Sequence, residues 1–163
     1  YRLQMLPAQL NLLDSHDVSR FLSLCGGDTA GYRLAVLFMM CFVGMPTVFY
    51  GDELGVQGIR EEEYRAPMPW ETGNLSLLAF FRKAIAMRQA LAPLREGDFR
   101  VLSAKTGSRV FCFRRSLGED AVTVTVNAGD APADIPVSAE KLYWAEGLED
   151  STLSSGGFAI TCH

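Results

Sequence analysis

Two short stretches of the sequence carry side chains that could act on a substrate. Asp14, His16 and Asp17 lie in the first stretch, and Asp52 and Glu53 lie in the second. Carboxylates accept hydrogen bonds from hydroxyl groups and stabilise a positive charge that develops on a reacting molecule. Acidic groups that converge with a nearby arginine therefore suit the chemistry of a polyol or a sugar.

The same residues also have a structural interpretation. Asp14 and Asp17 could serve only to cap loops, and spacing alone leaves this alternative as open as the functional one. Arg65, the arginine in question, could form a loop salt bridge to Asp52 or Glu53 instead of binding a ligand.

Two common kinds of active site are excluded by the sequence. Ser15, His16 and Asp17 do not form a hydrolytic triad, because adjacent residues in an extended chain point to alternate faces and cannot converge. A zinc site is nearly excluded as well, since there are two histidines, one of them the final His163, and the four cysteines form no CxxC pair.

The elements that must position these residues follow from the apolar pattern. Buried strands are predicted at 9–13 and 47–50, so each polar stretch comes directly after a strand. A helix over 33–43, with Asp28 as its cap, is apolar nearly all round, and an amphipathic helix covers 75–91. This order predicts a parallel α/β sheet or barrel, in which active sites are built at the carboxyl ends of the strands.

The pattern changes after Pro93 to short strands separated by glycine-containing turns. Valines alternate with threonines over 121–126, which is typical of a half-buried antiparallel strand. We therefore predict an α/β fold followed by an all-β fold, with domains at 1–94 and 95–163. The predicted strands of the second domain are 99–102, 109–113, 121–126, a short one near 135, 142–144 and 158–161.

Composition restricts the class of protein. The 163 residues are 48% apolar and 21% charged, which is a globular composition. The net charge of −4 supplies no basic patch, so no nucleic-acid partner is predicted. The uncharged run at 34–51 is cut by Gly44-Met45-Pro46 and is shorter than the roughly 20 residues of a membrane span, so no membrane partner is predicted either.

The start of the sequence and its cysteines bear on the length of the whole protein and on its location. The chain begins Tyr-Arg-Leu-Gln, with no initiator methionine or leader pattern, and we expect it to be part of a longer protein. The unpaired cysteine pattern favours a reducing compartment, and hence the cytoplasm.

Four motifs resemble one enzyme family. The seventh barrel strand region of the α-amylase superfamily of glycoside hydrolases is similar to NLLDSHDVSRFLSLCGGD, and the eighth strand and its loop are similar to GMPTVFYGDELG. An Arg-x-Pro-Met-x-Trp stretch of the family resembles RAPMPW. The last barrel helix and the entry to a β-sandwich domain resemble LLAFFRKAIAMRQALAPLREGDFRVL. Within the superfamily, the stretches Leu-Leu-Asp-Ser-His-Asp and Leu-Cys-Gly-Gly-Asp are similar to the neopullulanase, cyclomaltodextrinase and maltogenic amylase group.

The resemblance implies a retaining mechanism with an Asp nucleophile, a Glu acid/base and a third, supporting carboxylate, the first two about 5–5.5 Å apart. When the family's roles are assigned to the matching motif positions, Asp17 is the carboxylate that stabilises the transition state, and His16 binds hydroxyls of the sugar being cleaved. Arg65 holds the same sugar and pairs with the acidic residue four positions earlier. That residue is Glu61, where the family pattern has Asp.

The two principal catalysts have no match in this sequence. In the family they belong to the fourth and fifth barrel strands, and a whole barrel takes about 250 residues. We expect the last two of eight strand-helix units of a (β/α)8 barrel plus a β-sandwich domain, a C-terminal fragment that is inactive alone. Asp52 and Glu53 are expected to be structural partners near the site rather than catalysts.

The substrate implied by the resemblance is an α-glucan: maltooligosaccharides, cyclodextrins, pullulan or starch. A non-catalytic scaffold subunit and a carbohydrate-binding module remain as alternatives, and catalytic motifs in the upstream reading frame would separate them from an enzyme. No cofactor is predicted, and although the family allows calcium in a longer protein, no calcium site is identifiable here. Family dimers often use a domain ahead of the barrel, so a homodimer is compatible with the resemblance.

Overall fold

The computed structural model describes residues 3–135 and 141–163, without the side chains of residues 3–5. Two compact units are distinguished by their internal contacts. The first consists of Tyr1–Met40 with Gly44–Met87, and the second of Cys41–Val43 with Arg88–His163. These units are defined by contacts within the chain, whereas the predicted domains, 1–94 and 95–163, are defined by sequence pattern. The predicted domain division stays a prediction.

A pair of short parallel strands lies in the first unit. β1 (Leu10–Asn11) pairs with β2 (Met45–Pro46), with Leu10 opposite Met45. The N–H of Met45 donates to the carbonyl of Gln9 at 2.8 Å, and that of Thr47 donates to the carbonyl of Asn11 at 2.7 Å. The predicted parallel arrangement is therefore present, in strands shorter than the apolar pattern indicates.

The predicted strand over 47–50 is wrong, because β2 covers Met45–Pro46 and ends just before Thr47. The N–H of Phe49 donates to Oδ2 of Asp52 at 3.3 Å, and the carbonyl of Tyr50 accepts from Arg20 at 2.8 Å. Side chains thus satisfy the backbone groups that a neighbouring strand would otherwise use. The segment still runs on from β2 and delivers Asp52 to the same edge as the loop after β1.

The helices of the first unit follow the predicted order. Asp28 caps the long buried helix as predicted, because its two carboxylate oxygens accept from the N–H groups of Ala30 at 2.9 Å and Gly31 at 3.1 Å. No helix within residues 3–135 or 141–163 combines the length and apolar character needed to cross a membrane. The bounds are a 3₁₀ helix at Leu3–Ala8, α1 at Phe21–Leu24, α2 at Thr29–Cys41, a 3₁₀ helix at Asp52–Leu54, α3 at Glu61–Tyr64 and α4 at Leu75–Ala90.

The core of the first unit is built on α2. Val36 and Leu37 have no exposed surface, as expected for a helix without a polar face. Tyr32 connects the helix to its neighbours, since its ring centroid lies 6.2 Å from that of Phe81 on α4. Helix α2 is therefore largely buried, whereas His16 and Asp17 in the loop after β1 are exposed.

The second unit is an antiparallel sheet preceded by a short helix, which confirms the predicted change of fold class. β4 and β5 pair without interruption from Val110 opposite Asn127 to Leu117 opposite Asp120. β8 lies beside β5 and β6 on one edge and β7 on the other. The bounds are α5 at Ala92–Glu96, β3 at Arg100–Ser103, β4 at Val110–Leu117, β5 at Asp120–Asn127, β6 at Ala133–Asp134, β7 at Lys141–Glu149 and β8 at Thr152–Cys162.

Candidate active site

The loop after β1 separates its carboxylates by burial. Asp14 is buried, and its Oδ2 accepts from the N–H of Phe21 at the start of α1 at 2.7 Å. The hydroxyl of Ser15 accepts from the N–H of Asp17 at 3.2 Å, which turns the chain outward. Asp14 therefore has the loop-capping role that the sequence left open, while the next acidic residue faces solvent.

His16 and Asp17 form an exposed pair at the end of this loop. Nε2 of His16 lies 3.2 Å from Oδ2 of Asp17, and about two thirds of each side chain is exposed, 67% and 69%. The ring of His16 also faces that of Phe49, with centroids 6.5 Å apart. Both groups are accessible to a ligand from solvent.

Arg65 gathers this pair with a third residue. Its Nε donates to the carbonyl of His16 at 2.9 Å, and its Nη2 lies 3.6 Å from Oδ1 of Asp17. Its Nη1 lies 2.9 Å from Oε1 of Glu61. The structure thus brings together His16, Asp17, Arg65 and Glu61. The longer side chain of glutamate at position 61 reaches the arginine without difficulty.

Glu61 begins helix α3 and Arg65 directly follows its last residue, and Glu63 fixes where that helix begins. Oε2 of Glu63 accepts from the N–H groups of Ile59 at 3.0 Å and Arg60 at 3.1 Å, and its Oε1 accepts from the guanidinium of Arg60 at 2.8 Å. These hydrogen bonds lower the pKa of Glu63 to about 2. Two of the three consecutive glutamates at 61–63 therefore have different roles. Glu61 contacts Arg65 in the site, and Glu63 caps the helix.

The loop after β2 contributes a buried ion pair. Asp52 and Arg20 are almost fully buried, and Oδ1 of Asp52 lies 3.1 Å from Nη1 of Arg20. Burial and the neighbouring Asp14 carboxylate raise the pKa of Asp52 to about 7. The alternative in which Arg65 pairs with Asp52 or Glu53 is not what the structure has, since Arg65 contacts the carboxylates of Asp17 and Glu61 instead.

Glu53 lies beside this pair in the Asp52–Leu54 turn. Its Oε2 is buried and makes no hydrogen bond among the described residues. Neither Asp52 nor Glu53 joins the exposed cluster, so the expectation that they are structural neighbours of the site stays a prediction compatible with their positions.

Arg20 is the residue of this region that sequence reasoning did not single out. It lies inside the motif that carries Asp17, but three of the four groups to which it donates hydrogen bonds are backbone carbonyls, 30 to 44 residues away along the chain. Backbone carbonyls give no signal in a sequence. An arginine so near a polar loop, between Ser19 and Phe21, reads as a surface residue.

The exposed cluster of His16, Asp17, Glu61 and Arg65 can form hydrogen bonds with a ligand but contributes little to the stability of the fold. Exposed ion pairs contribute at most about 1 kcal/mol to folding, so the fold does not depend on Arg65 and its partners. Among the side chains that the structure describes, each oxygen of the Asp17 carboxylate lies near one charged group, and each retains capacity to accept from a hydroxyl group. Among residues 3–135 and 141–163, no group of three or more His, Cys, Asp or Glu side chains is arranged to hold a metal ion.

The family model described as the α-amylase catalytic domain matches residues 2–79 of the chain. Neopullulanase 2 of Thermoactinomyces vulgaris is 42% identical over 119 residues, which are 72% of this chain and 20% of that enzyme. A cyclomaltodextrinase of Bacillus sp. is 38% identical over 129 residues, 78% of this chain and 23% of that enzyme. The chain thus spans about a fifth to a quarter of the length of these relatives.

Solved structures extend the similarity to nearly the whole chain. A debranching enzyme of Nostoc punctiforme, from a crystal soaked with acarbose, superposes with a TM-score of 0.86 and 31% sequence identity. The match covers 99% of this chain and 35% of that structure. Both units therefore have counterparts in that enzyme, and the exposed cluster lies in the unit that the catalytic-domain model matches.

Proposed function

Because the chain belongs to the α-amylase superfamily of glycoside hydrolases, we propose that it supplies one part of the active site of a retaining enzyme that cleaves α-glucans. The predicted fold class, the end of a (β/α)8 barrel followed by an antiparallel β domain, is confirmed by the same relatives. The relatives named neopullulanase, cyclomaltodextrinase and maltogenic α-amylase support an α-glucan as the substrate class.

The observation that carries the proposal is the placement of Arg65. It holds the carbonyl of His16 and lies beside the carboxylate of Asp17, at the carboxyl-terminal edge of a parallel strand pair. Active sites of barrel enzymes are built at this edge. An exposed carboxylate, an imidazole and a guanidinium around one point suit a pyranose ring, whose hydroxyls both donate and accept hydrogen bonds.

In the proposed mechanism, Asp17 stabilises the positive charge that develops on the sugar as the glycosidic bond breaks. His16 donates to or accepts from hydroxyls of that sugar, and Arg65 orients both the sugar and Asp17. Glu61 neutralises Arg65 on the side away from Asp17. The nucleophile and the general acid come from other parts of the longer enzyme, so the 163-residue chain by itself is expected to be inactive.

The test is Asp17→Asn in the longer enzyme that contains this chain. We expect kcat to fall by about 100-fold or more, because the lost charge matters most in the transition state, while the folded structure is retained. The assay measures kcat and KM on a maltooligosaccharide, a cyclodextrin and pullulan, with circular dichroism as the check on folding.

Glu62→Gln is the matched control for this test. Glu62 is an equally exposed carboxylate in α3, but it pairs with Arg60 at 3.2 Å rather than with Arg65. We expect its kcat to stay near that of the parent enzyme. If Asp17→Asn and Glu62→Gln behaved alike, Asp17 would be a loop residue and the assignment of the site would fail. A parent enzyme without turnover of any of the three substrates would favour the scaffold alternative.

A further inference from the structure

We propose that Arg20 is a positioning residue of the candidate site, one that acts on the substrate through Arg65 and the ring of Phe49 without touching it. This inference rests on the proposed function, because it concerns how that site is held in shape. The evidence is the set of bonds that Arg20 makes from inside the first unit.

Arg20 is fully buried, with no accessible surface. Its Nη1 donates to the carbonyl of Tyr50 at 2.8 Å and to Oδ1 of Asp52 at 3.1 Å. Its Nε donates to the carbonyl of Tyr64 at 2.9 Å, and its own backbone N–H donates to the carbonyl of Gly58 at 2.9 Å. One residue therefore ties three separate stretches of chain to the segment that carries Asp17.

These bonds fix the backbone on both sides of Arg65. The carbonyl of Tyr64, immediately before Arg65, accepts from Arg20. The carbonyl of Ala66, immediately after it, accepts from the hydroxyl of Tyr50 at 2.9 Å, and Tyr50 is itself held by Arg20. Arg65 is thus attached at its two neighbours to one buried guanidinium, directly on one side and through a single residue on the other.

A second route leads to His16. The guanidinium carbon of Arg20 lies 4.1 Å from the ring centroid of Phe49 and 4.9 Å from that of Tyr50. The ring of Phe49 also lies 4.6 Å from that of Tyr50 and 6.5 Å from the imidazole of His16, measured between centroids. Stacking on a planar cation fixes the orientation of Phe49, and this ring in turn limits where the imidazole can lie.

Only arginine can make this set of contacts. Its guanidinium carries five donors in a rigid plane that both stacks on rings and reaches several acceptors, whereas lysine offers a single compact ammonium group. Inside the unit, the carboxyl group of Asp52 and the backbone carbonyls accept the hydrogen bonds of the buried guanidinium. A lysine at position 20 would keep the charge and lose most of the geometry.

The test is Arg20→Lys in the longer enzyme, with Arg115→Lys as the matched control. Arg115 is also buried, and it also binds backbone carbonyls, those of Cys41, Leu94, Gly97 and Asp98, all in the second unit. Both variants should lower Tm. Only Arg20→Lys should lower kcat, by about 10- to 100-fold, because small displacements of positioning groups have effects of that size.

Equal effects of the two variants on kcat, measured well below both Tm values, would overturn the proposal. Asp17→Asn, assayed in parallel, keeps the two hypotheses apart. If Asp17→Asn abolishes turnover and Arg20→Lys leaves kcat unchanged, the proposed function stands and the role of Arg20 fails.

Hydrogen exchange gives a readout that does not depend on activity. We expect Arg20→Lys to speed exchange of the amides in 58–66, and Arg115→Lys to leave them unchanged. If the parent enzyme cleaves no α-glucan, the proposed function fails, and this measurement still decides whether Arg20 positions the segment around Arg65. Unchanged exchange in 58–66 would overturn the positioning role.

If Arg20→Lys does not fold, Phe49→Leu replaces it and Phe80→Leu becomes its control. Phe80 also lies under an arginine, with the guanidinium carbon of Arg33 at 4.4 Å from its ring centroid, but on α4. Phe49→Leu should lower kcat several-fold more than Phe80→Leu. Equal losses of kcat in the two variants would contradict the route through Phe49.

Discussion

At the scale of single residues, the ion pairs of Arg65 are expected to matter for substrate binding and to add little to the stability of the fold. Arg65 is 46% exposed, and exposed pairs add little to folding. We predict that Arg65→Lys lowers kcat/KM by about 10-fold or more, since lysine cannot contact His16, Asp17 and Glu61 together, and leaves Tm within about 2 °C. Steady-state kinetics and thermal unfolding of the longer enzyme measure both quantities.

The control for this prediction is Arg95→Lys. Arg95 is similarly exposed and lies 3.6 Å from Glu96 in α5, within the second unit. Its kcat/KM should be unchanged. A loss of Tm in Arg65→Lys, with kcat/KM preserved, would mean that the arginine holds the loop for stability and takes no part in binding.

The buried carboxyl of Asp52 predicts a pH dependence of stability. Its pKa is raised from 3.8 to about 7 in the folded chain, first by burial and then by the charge of Asp14, against the opposing effect of Arg20. The folded state therefore binds more protons than the unfolded state between about pH 4 and 7, and stability should fall as the pH rises through that window. Asp52→Asn should remove this part of the slope.

Urea midpoints at pH 4, 5.5, 7 and 8 measure that slope. Asp28→Asn serves as the control, because it removes an exposed carboxyl group that caps α2 instead of the buried one. The same slope in Asp52→Asn and the parent would show that Asp52 is ionised throughout the range.

The site residues show how far residue-level reasoning extends. His16, Asp17, Glu61 and Arg65 were predictable as a group because side-chain types at fixed spacing resemble a family motif, and the structure does bring them together. Their roles stay predictions. Arg20 was not predictable, because its partners are carbonyls that every residue possesses, brought near it only by the fold.

At the scale of elements, periodicity predicted helices better than short strands. α2 has a long and consistent apolar pattern, so tertiary packing and local preference agree. In β5 the alternation of valine and threonine predicts a half-buried strand, but the structure buries Thr123 and Thr125 as well. The segment 47–50 has an equally strong strand composition, but Asp52 and Arg20 take its backbone groups. A strand prediction assumes that backbone partners come from another strand, and here they come from side chains.

The close approach of β1 and β2 gives a prediction at this scale. Gly44 has a φ of 108°, and a Cβ there would lie 2.6 Å from Nδ2 of Asn11 and 2.8 Å from the carbonyl oxygen of Gln9. We predict that Gly44→Ala destabilises the chain by about 2–4 kcal/mol, the sum of backbone strain and a steric clash that pushes the strands apart. Chemical denaturation measures this change.

Gly26→Ala isolates the backbone part of that effect. Gly26 also has a positive φ, of 65°, but a Cβ there meets nothing within 4 Å. Gly26→Ala should lower the free energy of unfolding by only about 1–2 kcal/mol. Equal losses of unfolding free energy in the two variants would mean that the strand pair tolerates the added methyl group.

At the scale of the whole molecule, apolar surface is distributed differently from what the sequence suggests. A helix without a polar face predicts an exposed patch on α2 when this chain is alone, but the chain itself buries that helix. The large apolar side chains that remain exposed in the first unit include Leu10 at 64% and Met45 at 47%, which face each other across β1 and β2, and Leu12 at 46%. The sequence shows which residues are apolar. Whether these residues are buried depends on which other elements are present to pack against them.

This strand pair predicts how the isolated 163-residue chain behaves in solution. Adjacent exposed apolar side chains on a two-stranded pair favour contact with a second copy of the same surface. We expect light scattering to show a mass that rises with concentration, and the double variant Leu10→Gln with Met45→Gln to shift the mass towards the monomer. Leu117→Gln, at an exposed position of β4 in the second unit, is the control and should leave the mass unchanged. A parent chain that stays monomeric at every concentration would contradict the prediction, and an equal shift in both variants would place the contact outside the strand pair.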